Sequence, residues 1–465
     1  MAFSEFLNSR RASMKALVAE LKKSFEFVSI LGSDISARGI RVNKNSAAIT
    51  PGMDTECGFV VKLCNGKAFF EYSLDDLEEE PAALARKIAA AFSLTGGREM
   101  ISGIRLPDEP LTRSFAREND LADYSENQIL DFCSGLCKDI MGRSENLLNV
   151  MVYISTLEVS KLFISSNREL DQNYTWVNGN MIAVYQEDGK VVQVREGAYD
   201  YRIAPVMEKM PTLVEKLLHK AHMLTKAQPI VPGEYDIITD ASITGLIAHE
   251  AFGHGVEMDQ FVKDRALAKS YVGKYVASPI VNMKDGAASG MSVASYFFDD
   301  DGVLAGDTQI IKDGILVTGI CDLGSAAQLG TNGTGNGRRE STRHKAYTRM
   351  TNTFIQPGTD KLEDMIASIK HGYMLFETNN GMEDPKNWAI QCVAEYGIEI
   401  VDGKLTDNYV SPVVMSGYVP DLLKSISMIS DSFELEGAGM CGKGYKEWVR
   451  VSSGGPELKA RVKLG

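Results

Sequence analysis

The stretch PIVPGEYD, residues 229–236, separates two parts of the chain that have different sequence patterns. Helical periodicity dominates residues 204–227, and it stops where two prolines and a glycine enter, because these residues do not support a helix interior. From Glu234 onward, short strand patterns alternate with glycine turns, as in KDGILVTGI and IEIVDGKLTDNYV. The sequence therefore predicts an N-terminal domain over residues 1–228 and a C-terminal domain over residues 229–465.

The N-terminal domain is predicted to be mixed α and β. An amphipathic helical pattern covers residues 5–25, and two further helical stretches are predicted near residues 75–92 and 127–142. Strand patterns lie between them, and turn-forming pairs inside apolar runs indicate hairpins at Asn65-Gly66, Asn178-Gly179 and Asp188-Gly189. The C-terminal domain is predicted to be antiparallel and rich in β-strands, with one helix at residues 361–370. The predicted fold class is therefore α+β, with nearly all of the chemistry in the second domain.

The composition is typical of a globular protein without a polynucleotide partner. The 465 residues are 44% hydrophobic and 24% charged, which is enough to bury at least one large core. A net charge of −13 repels nucleic acid and anionic membranes. The start lacks a signal-peptide pattern and no apolar run reaches the length of a membrane span, so we expect a cytoplasmic protein. The seven scattered cysteines predict reduced thiols.

A histidine pair with an unusual spacing lies in residues 248–259, AHEAFGHGVEMD. Zinc peptidases commonly carry two histidines four residues apart, because about 400° of helical rotation puts both rings on one face. His249 and His254 are five residues apart, so a straight helix would turn the second ring about 140° away from the first. A π-bulge, or a helix that ends between the histidines, restores a shared metal site.

Glycines on both sides of the second histidine favour such an irregular backbone. Gly253 and Gly255 flank His254, and glycine adopts the angles that either solution requires at little steric cost. The preceding residues, ASITGLIAHEAF, predict a short buried helix that presents His249 and Glu250 near its end. Two histidines are an incomplete site, because a catalytic zinc takes three protein ligands and keeps one position for water. Candidates for the third ligand are Glu257, Asp259 and a distant cysteine.

Three segments of the C-terminal domain resemble one known family. They are HEAFGHGVEMD, TGNGRRESTRHKAYTRMTNTFIQPG and EGAGMCGKGYKEWVRVSSGGPELKARVKLG. Together they resemble the TldD/PmbA family of zinc metallopeptidases, once called modulators of DNA gyrase; over the N-terminal domain the resemblance is looser. The resemblance implies a zinc ion bound by His249, His254 and Cys441. Because PmbA-type members lack these ligands, the chain resembles the TldD-type member.

With those ligands, the resemblance implies a metallopeptidase that hydrolyses peptides or unfolded protein segments with a zinc-activated water. The metal would hold Cys441 as a thiolate and leave one tetrahedral position for water. Glu250, beside the first ligand, is then the natural general base. Glu257 is either a hydrogen-bond partner of a ligand imidazole or a solvated acid on a turn. For Arg338 and Arg339, the alternatives are a substrate-binding loop near the cleft and ion pairs at a subunit contact.

Two other functions are compatible with the sequence. The chain can be a non-catalytic partner subunit that binds peptides for an active relative, although its intact ligand set argues against that. Alternatively, Cys441 can act as a nucleophile that a neighbouring histidine activates. The resemblance also implies a two-fold assembly, so we expect a homodimer or a heteromer with a PmbA-type paralogue.

Overall fold

The computed structural model describes residues 3–106, 110–443 and 447–465. In the first half of the chain the helices are α1 (Glu5–Leu21), α2 (Pro81–Thr95), α3 (Glu126–Met141), α4 (Ile203–Thr212) and α5 (Val214–Lys226). The strands are β1 (Phe27–Asn43), β2 (Ser46–Pro51), β3 (Glu56–Cys64), β4 (Ala68–Leu74), β5 (Arg98–Glu99), β6 (Leu111–Ala116), β7 (Leu147–Ser165), β8 (Arg168–Glu187) and β9 (Lys190–Asp200). A 3₁₀ turn covers Leu121–Asp123. The helices predicted from periodicity are present, and the second begins at Pro81 rather than near residue 75.

The strands of this half form a mainly antiparallel sheet with long central strands. Its order is β5-β4-β3-β1-β7-β8-β6, with β2 paired to β1 and β9 paired to β8. Helices α1 and α2 bury Leu7, Leu17 and Ile88 against it in one cluster, and α3, α4 and α5 bury a second cluster. Each amphipathic helix therefore covers the sheet with its apolar stripe, which removes that surface from water.

The three predicted hairpin turns have different outcomes. Asn65-Gly66 links β3 to β4, and Asp188-Gly189 links β8 to β9 with positive φ angles of 50° and 79°. The turn predicted at Asn178-Gly179 is wrong, because both residues lie inside β8 and pair with β7 and β9. That glycine has a packing role instead: a Cβ on it would stand 2.4 Å from the Met210 sulfur of α4.

The second half contains shorter helices and more strands. Its helices are α6 (Ala241–Leu246), α7 (Met258–Val262), α8 (Leu323–Leu329), α9 (Leu362–Ala367) and α10 (Val419–Ser425), with a π-helical turn at Ile247–Gly253 and 3₁₀ turns at His254–Val256 and Leu267–Tyr271. The helix predicted at residues 361–370 corresponds to α9. No helix in the described ranges is long and apolar enough to cross a membrane.

The strands of the second half are β10 (Gly233–Thr239), β11 (Met283–Asp285), β12 (Thr308–Lys312), β13 (Ile315–Leu316), β14 (Gly337–Arg338), β15 (Tyr347–Thr348), β16 (Asn352–Ile355), β17 (His371–Asp384), β18 (Ala389–Val401), β19 (Lys404–Val410), β20 (Val413–Tyr418), β21 (Met428–Ile429), β22 (Glu434–Lys443), β23 (Glu447–Gly455) and β24 (Leu458–Leu464). One sheet has the order β10-β17-β18-β20-β24-β21, with β19 paired to β18. Because β10 also pairs with β24, the five strands from β10 to β24 in this order close into a ring, and β21 lies outside it. A second sheet has the order β13-β12-β11-β16-β23-β22.

Most strand pairs of this half are antiparallel, while β10 with β17 and β16 with β23 are parallel. The α+β fold class is therefore confirmed. The boundary between residues 228 and 229 falls between α5 and β10, and it stays a prediction as a domain limit.

The two halves meet at a buried contact that has apolar and ionic parts. Residues 293–298 of the second half pack on apolar side chains of the first-half sheet. Beside them, Lys62 of β3 lies 2.9 Å from Glu71 of β4 and also binds Asp301. Arg339 reaches the same Glu71 at 3.3 Å. Because buried charges are tolerated only when they are paired and hydrogen-bonded, these ion pairs fix how the halves meet.

Candidate metal centre

The histidine pair belongs to a helical segment with a capped and tightly packed beginning. Asp240 follows β10, and its carboxylate accepts a hydrogen bond from the Ile243 amide at 2.8 Å, which caps α6. Gly245 lets α6 lie directly on the sheet, since a Cβ there would stand 2.5 Å from the Gly454 nitrogen of β23. This contact fixes the place from which the next helical turn projects.

A π-helical turn resolves the five-residue spacing of the histidines. It covers Ile247–Gly253, and the 3₁₀ turn begins at His254. Because a π-turn closes its hydrogen bonds over five residues, it brings residues five apart close to one face. The ring centroids of His249 and His254 are 5.2 Å apart, with the ring planes at 82°. The predicted irregular backbone before His254 is therefore confirmed.

The two glycines that flank His254 serve close packing rather than unusual backbone angles. Gly253 has helical angles, with φ −60° and ψ −47°, so the π-turn does not use the wider range of backbone angles that is open to glycine. A Cβ on Gly253 would stand 2.2 Å from the Met350 sulfur, and one on Gly255 would stand 2.8 Å from Glu383 Oε1. Both glycines therefore let neighbouring segments approach the end of the helix.

Cys441 reaches the histidines from β22, far along the chain. Its sulfur is 3.5 Å from His254 Nε2. One potential ligand atom from each of His249, His254 and Cys441 lies within 4.8 Å of the other two, the one such group of metal-binding side chains in the described part of the chain. His249 is 5% exposed and Cys441 is 4% exposed. Residues 444–446 of the same C-terminal motif lie outside the described residues.

The charges of this group favour a thiolate beside the imidazoles. Burial raises the pKa of Cys441, but the two imidazoles outweigh burial and hold that pKa well below its ordinary value. Burial lowers the pKa of His254, whereas Cys441 and Glu257 raise it well above its ordinary value. A cation that replaces the imidazole protons would satisfy the same electrostatics, and metal ligands bind in that deprotonated form.

The donor set fits zinc. Glu257 engages Nδ1 of His254 at 3.0 Å and leaves Nε2 facing the Cys441 sulfur. His249 Nδ1 is buried without a hydrogen-bond partner in the described ranges. Two imidazoles and one thiolate are typical ligands of a tetrahedral zinc that keeps one open position.

Glu250 lies beside both imidazoles. Its Oε1 is 3.9 Å from His249 Nε2, and its Oε2 is 3.8 Å from His254 Nε2. Gly381 of β17 covers part of the side chain, since a Cβ there would stand 2.6 Å from Glu250 Cγ. The Glu250 side chain is 20% exposed, so its carboxylate can reach solvent as well as the histidines.

The two acids that follow the histidine pair lie outside the ligand group. Glu257 is 1% exposed and binds His254, so it is the imidazole partner rather than a solvated acid. Burial raises the pKa of Glu257, but Lys443 and His254 outweigh burial and hold it well below its ordinary value. Asp259 pairs with Lys443 at 2.7 Å. Neither acid is therefore placed as the third ligand.

Sequence patterns missed three residues that join the two parts of this centre. Arg349 is 1% exposed and donates a hydrogen bond to the Cys441 carbonyl. Met350 packs on Gly253. Lys443 binds the acids that follow the second histidine. All three belong to the segments that carried the family resemblance, but their spacing in the chain does not indicate which distant groups they meet.

Arg338 and Arg339 are engaged inside the chain. Arg338 Nη1 donates to the Met350 carbonyl at 2.7 Å. Arg339 pairs with Glu71 of β4 at 3.3 Å. Arg339 is therefore paired with an acid from the first half of the same chain, while a role of these arginines in substrate binding or at a subunit contact stays a prediction.

Comparison with known proteins connects this geometry to a family. The protein-family model named PmbA/TldA metallopeptidase C-terminal domain matches residues 232–462. The chain is 28% identical to Metalloprotease slr0863 of Synechocystis, over 97% of each protein. It is 27% identical to the Zinc metalloprotease TldD homolog of Saccharolobus solfataricus, over 67% of this chain and 70% of that protein.

A solved structure supports the fold. The crystal structure of TldE from Thermococcus kodakarensis matches with a TM-score of 0.76 and 18% identity, over 97% of this chain and 100% of that one. The domain model, the metalloprotease relatives and the shared fold agree with the resemblance found in the three C-terminal segments. The chain therefore belongs to the TldD/PmbA family of metallopeptidases.

Proposed function

We propose that the chain is a zinc metallopeptidase of the TldD type that hydrolyses peptides or unfolded protein segments. In this proposal His249, His254 and Cys441 hold the zinc, and Glu250 is the general base. The observation that carries it is the convergence of two imidazoles and one thiol from segments almost 190 residues apart, with a carboxylate beside both imidazoles.

The roles of the side chains follow from their chemistry. Zinc at this position supplies a Lewis acid that lowers the pKa of a water molecule and polarises a peptide carbonyl. Glu250 takes a proton from the attacking water and passes it to the leaving amine, because its carboxylate lies beside both imidazoles and is partly exposed to solvent. Glu257 keeps the proton of His254 on Nδ1, so that Nε2 is free to bind.

Zinc content and activity of matched variants test the proposal. The wild-type protein is expected to hold about one zinc per chain, the number that a single three-ligand site binds. It is also expected to cut a defined peptide library whose products are read by mass spectrometry. Glu250→Ala should keep the zinc and slow turnover by about 100- to 10,000-fold, the usual range for loss of a general base.

Glu363 on α9 provides a control, because it is an exposed acid far along the chain from the ligands. Glu363→Ala should leave zinc content and turnover unchanged. A wild-type chain that holds no zinc, or a Glu250→Ala variant as active as wild type, contradicts the proposal.

A second candidate function is a cysteine hydrolase in which Cys441 is the nucleophile. It is favoured by the 3.5 Å distance between the Cys441 sulfur and His254 Nε2 and by the lowered pKa of the thiol. A metal chelator and iodoacetamide separate the two functions. Activity that survives the chelator and is lost on alkylation supports the cysteine hydrolase, and activity lost with the chelator and restored by zinc supports the metallopeptidase.

Two further expectations from the sequence analysis stay predictions for this chain. One is a homodimer or a heteromer with a PmbA-type paralogue, and the other is a cytoplasmic location. A wild-type protein that binds zinc but cuts no peptide in the library would instead favour a non-catalytic, peptide-binding partner subunit.

A further inference from the structure

We infer that Lys443 is a positioning residue for the proposed zinc centre: it holds Glu257 against His254 and anchors the strand that carries Cys441. The inference rests on the proposed function, because it concerns the alignment of the ligands named there. It adds a link between the two remote segments that supply those ligands.

All three ammonium hydrogens of Lys443 have acceptors. Its Nζ lies 3.0 Å from Glu257 Oε2, 2.7 Å from Asp259 Oδ1 and 2.9 Å from the Thr348 carbonyl. The side chain is 8% exposed. A lysine has three donors, so these contacts use its full hydrogen-bonding capacity and hold the ammonium group in one position.

The contact with Glu257 reaches the imidazole. The same oxygen, Glu257 Oε2, lies 3.0 Å from His254 Nδ1. A carboxylate at that distance selects the tautomer with the proton on Nδ1 and fixes the rotation of the ring. Lys443 thereby limits how far Glu257, and with it His254, can turn.

The other end of the link is the backbone of β22. Lys443 and Cys441 are two residues apart in this strand, and alternate residues of a strand point to the same face. The ammonium group and the sulfur therefore leave β22 towards the same helical segment. A shift of β22 that moved the sulfur away from His254 would also pull Lys443 from its three acceptors.

A simpler explanation is that Lys443 only neutralises two buried acids. Lys263 allows the two explanations to be separated, because it contacts the same Asp259 at 3.2 Å but is 33% exposed. In the described part of the chain, the Glu257 carboxylate is bound by Lys443 and His254, whereas Lys263 reaches Asp259. Loss of Lys263 removes a positive charge next to Asp259 and leaves the link to His254 intact.

The test measures zinc affinity of the full chain by competition with a chelator, and the visible absorption spectrum of the Co²⁺ form. Lys443→Met should weaken zinc binding by about 10- to 100-fold, the range for loss of groups that orient metal ligands. It should also change the cobalt spectrum, which reports ligand geometry. Lys263→Met should stay within about fivefold of wild type, as for an exposed ion pair.

Glu257→Gln tests the same link from the other end and keeps Lys443 paired with Asp259. It should weaken zinc binding by a similar factor, and Lys443→Met combined with Glu257→Gln should lose little more than the larger single effect, since both act through one link. Additive losses, or a wild-type zinc affinity and cobalt spectrum in Glu257→Gln, overturn the inference whether or not Lys443→Met folds.

Wild-type zinc content separates the two possible failures. A wild-type chain with zinc whose Lys443→Met variant binds it equally well overturns the positioning role alone. A wild-type chain without zinc overturns the proposed function and the inference together.

Discussion

Two buried lysines, Lys62 and Lys443, have similar surroundings and different consequences. Lys62 is 4% exposed and binds Glu71 and Asp301 where the halves of the chain meet. Lys443 is 8% exposed and binds Glu257 and Asp259. In both places the positive charge stabilises two buried carboxylates, so burial and charge do not tell the two clusters apart.

The difference lies in what the acids touch next. At the junction of the halves, Glu71 binds Arg339, and Asp301 accepts a hydrogen bond from the Leu323 amide at 2.9 Å. At the metal centre, Glu257 binds an imidazole whose second nitrogen faces the Cys441 sulfur. The groups of the first cluster bind one another and fix the contact between the two halves of the chain. The second cluster leads to an imidazole nitrogen and a sulfur that can bind an ion. We therefore expect changes at the junction to affect folding, and changes at the centre to affect metal binding.

The largest effect on folding is expected from Lys62→Met. It leaves the buried Asp301 without its lysine partner and Glu71 with Arg339 alone, which costs about 3–5 kcal/mol of unfolding free energy. Chemical denaturation of the zinc-free protein measures the change. Lys87→Met is the control, because Lys87 is 56% exposed and its partner Glu79 lies 3.6 Å away, so it should change stability by less than about 1 kcal/mol. A folded Lys62→Met protein that lost its zinc affinity would contradict the separation of the two clusters.

The largest effect on metal binding is expected from Cys441→Ser. Zinc affinity should fall by more than about 100-fold, because even groups that only orient ligands contribute 10- to 100-fold. Equilibrium competition with a chelator measures it. Cys133→Ser is the matched control, since Cys133 is a buried thiol of α3 in the other half, and its zinc affinity should equal that of wild type. Equal losses in both variants would mean that the effect comes from general unfolding.

Two glycines of the histidine-bearing segment sharpen the comparison at the level of packing. Gly245→Ala should cost about 3 kcal/mol, the upper part of the range for overpacking, because its Cβ meets the backbone of β23. Gly253→Ala should cost about 1 kcal/mol, because the Met350 side chain can shift away. The higher helix propensity of alanine stabilises the protein by about 1 kcal/mol at most. The steric clash therefore determines that both substitutions are destabilising. Thermal unfolding measures which of the two variants loses more stability. A Gly245→Ala protein more stable than wild type would contradict the close contact of α6 with β23.

An effect that is confined to one pH range is expected at Glu436, five residues before Cys441 on β22. Burial, and then the charges of Asp240, Glu434 and Glu377, raise the pKa of Glu436 from 4.5 to about 7. The folded state therefore keeps a proton that the unfolded state releases between about pH 4.5 and 7, and stability falls as pH rises through that window.

Glu436→Gln cannot ionise, so it should flatten this loss and be about 1–3 kcal/mol more stable than wild type at pH 8. Urea unfolding of the zinc-free proteins at pH 5 and pH 8 provides the comparison. Glu363→Gln, an exposed acid, should keep the wild-type pH dependence. If the unfolding free energy of Glu436→Gln changed between pH 5 and pH 8 as much as that of wild type, the Glu436 carboxyl would not be the group that causes the loss of stability.

Local sequence signals predicted those features that neighbouring residues control. The Asp188-Gly189 turn follows from the backbone angles that a tight hairpin requires. The irregular helix between His249 and His254 follows from the angular geometry of a five-residue step, and the proximity of Glu250 to the imidazoles follows from its place beside the first histidine. Cys441 entered through family resemblance, because no local pattern links a cysteine to histidines so far away in the chain.

Contacts between distant segments were not predictable in the same way. The pair Asn178-Gly179 has the composition of a turn, and glycine at position 253 suits an irregular helix, yet a methionine from another segment packs closely on both glycines. The pairings of Lys443, Arg349 and Arg339 depend on which strands and helices come together on folding. A periodic pattern records which face of an element is apolar, but it carries no information about the partner that covers that face. The order of residues therefore provides two imidazoles and a thiol, and the packing of remote elements brings them together in one group that could hold a metal ion.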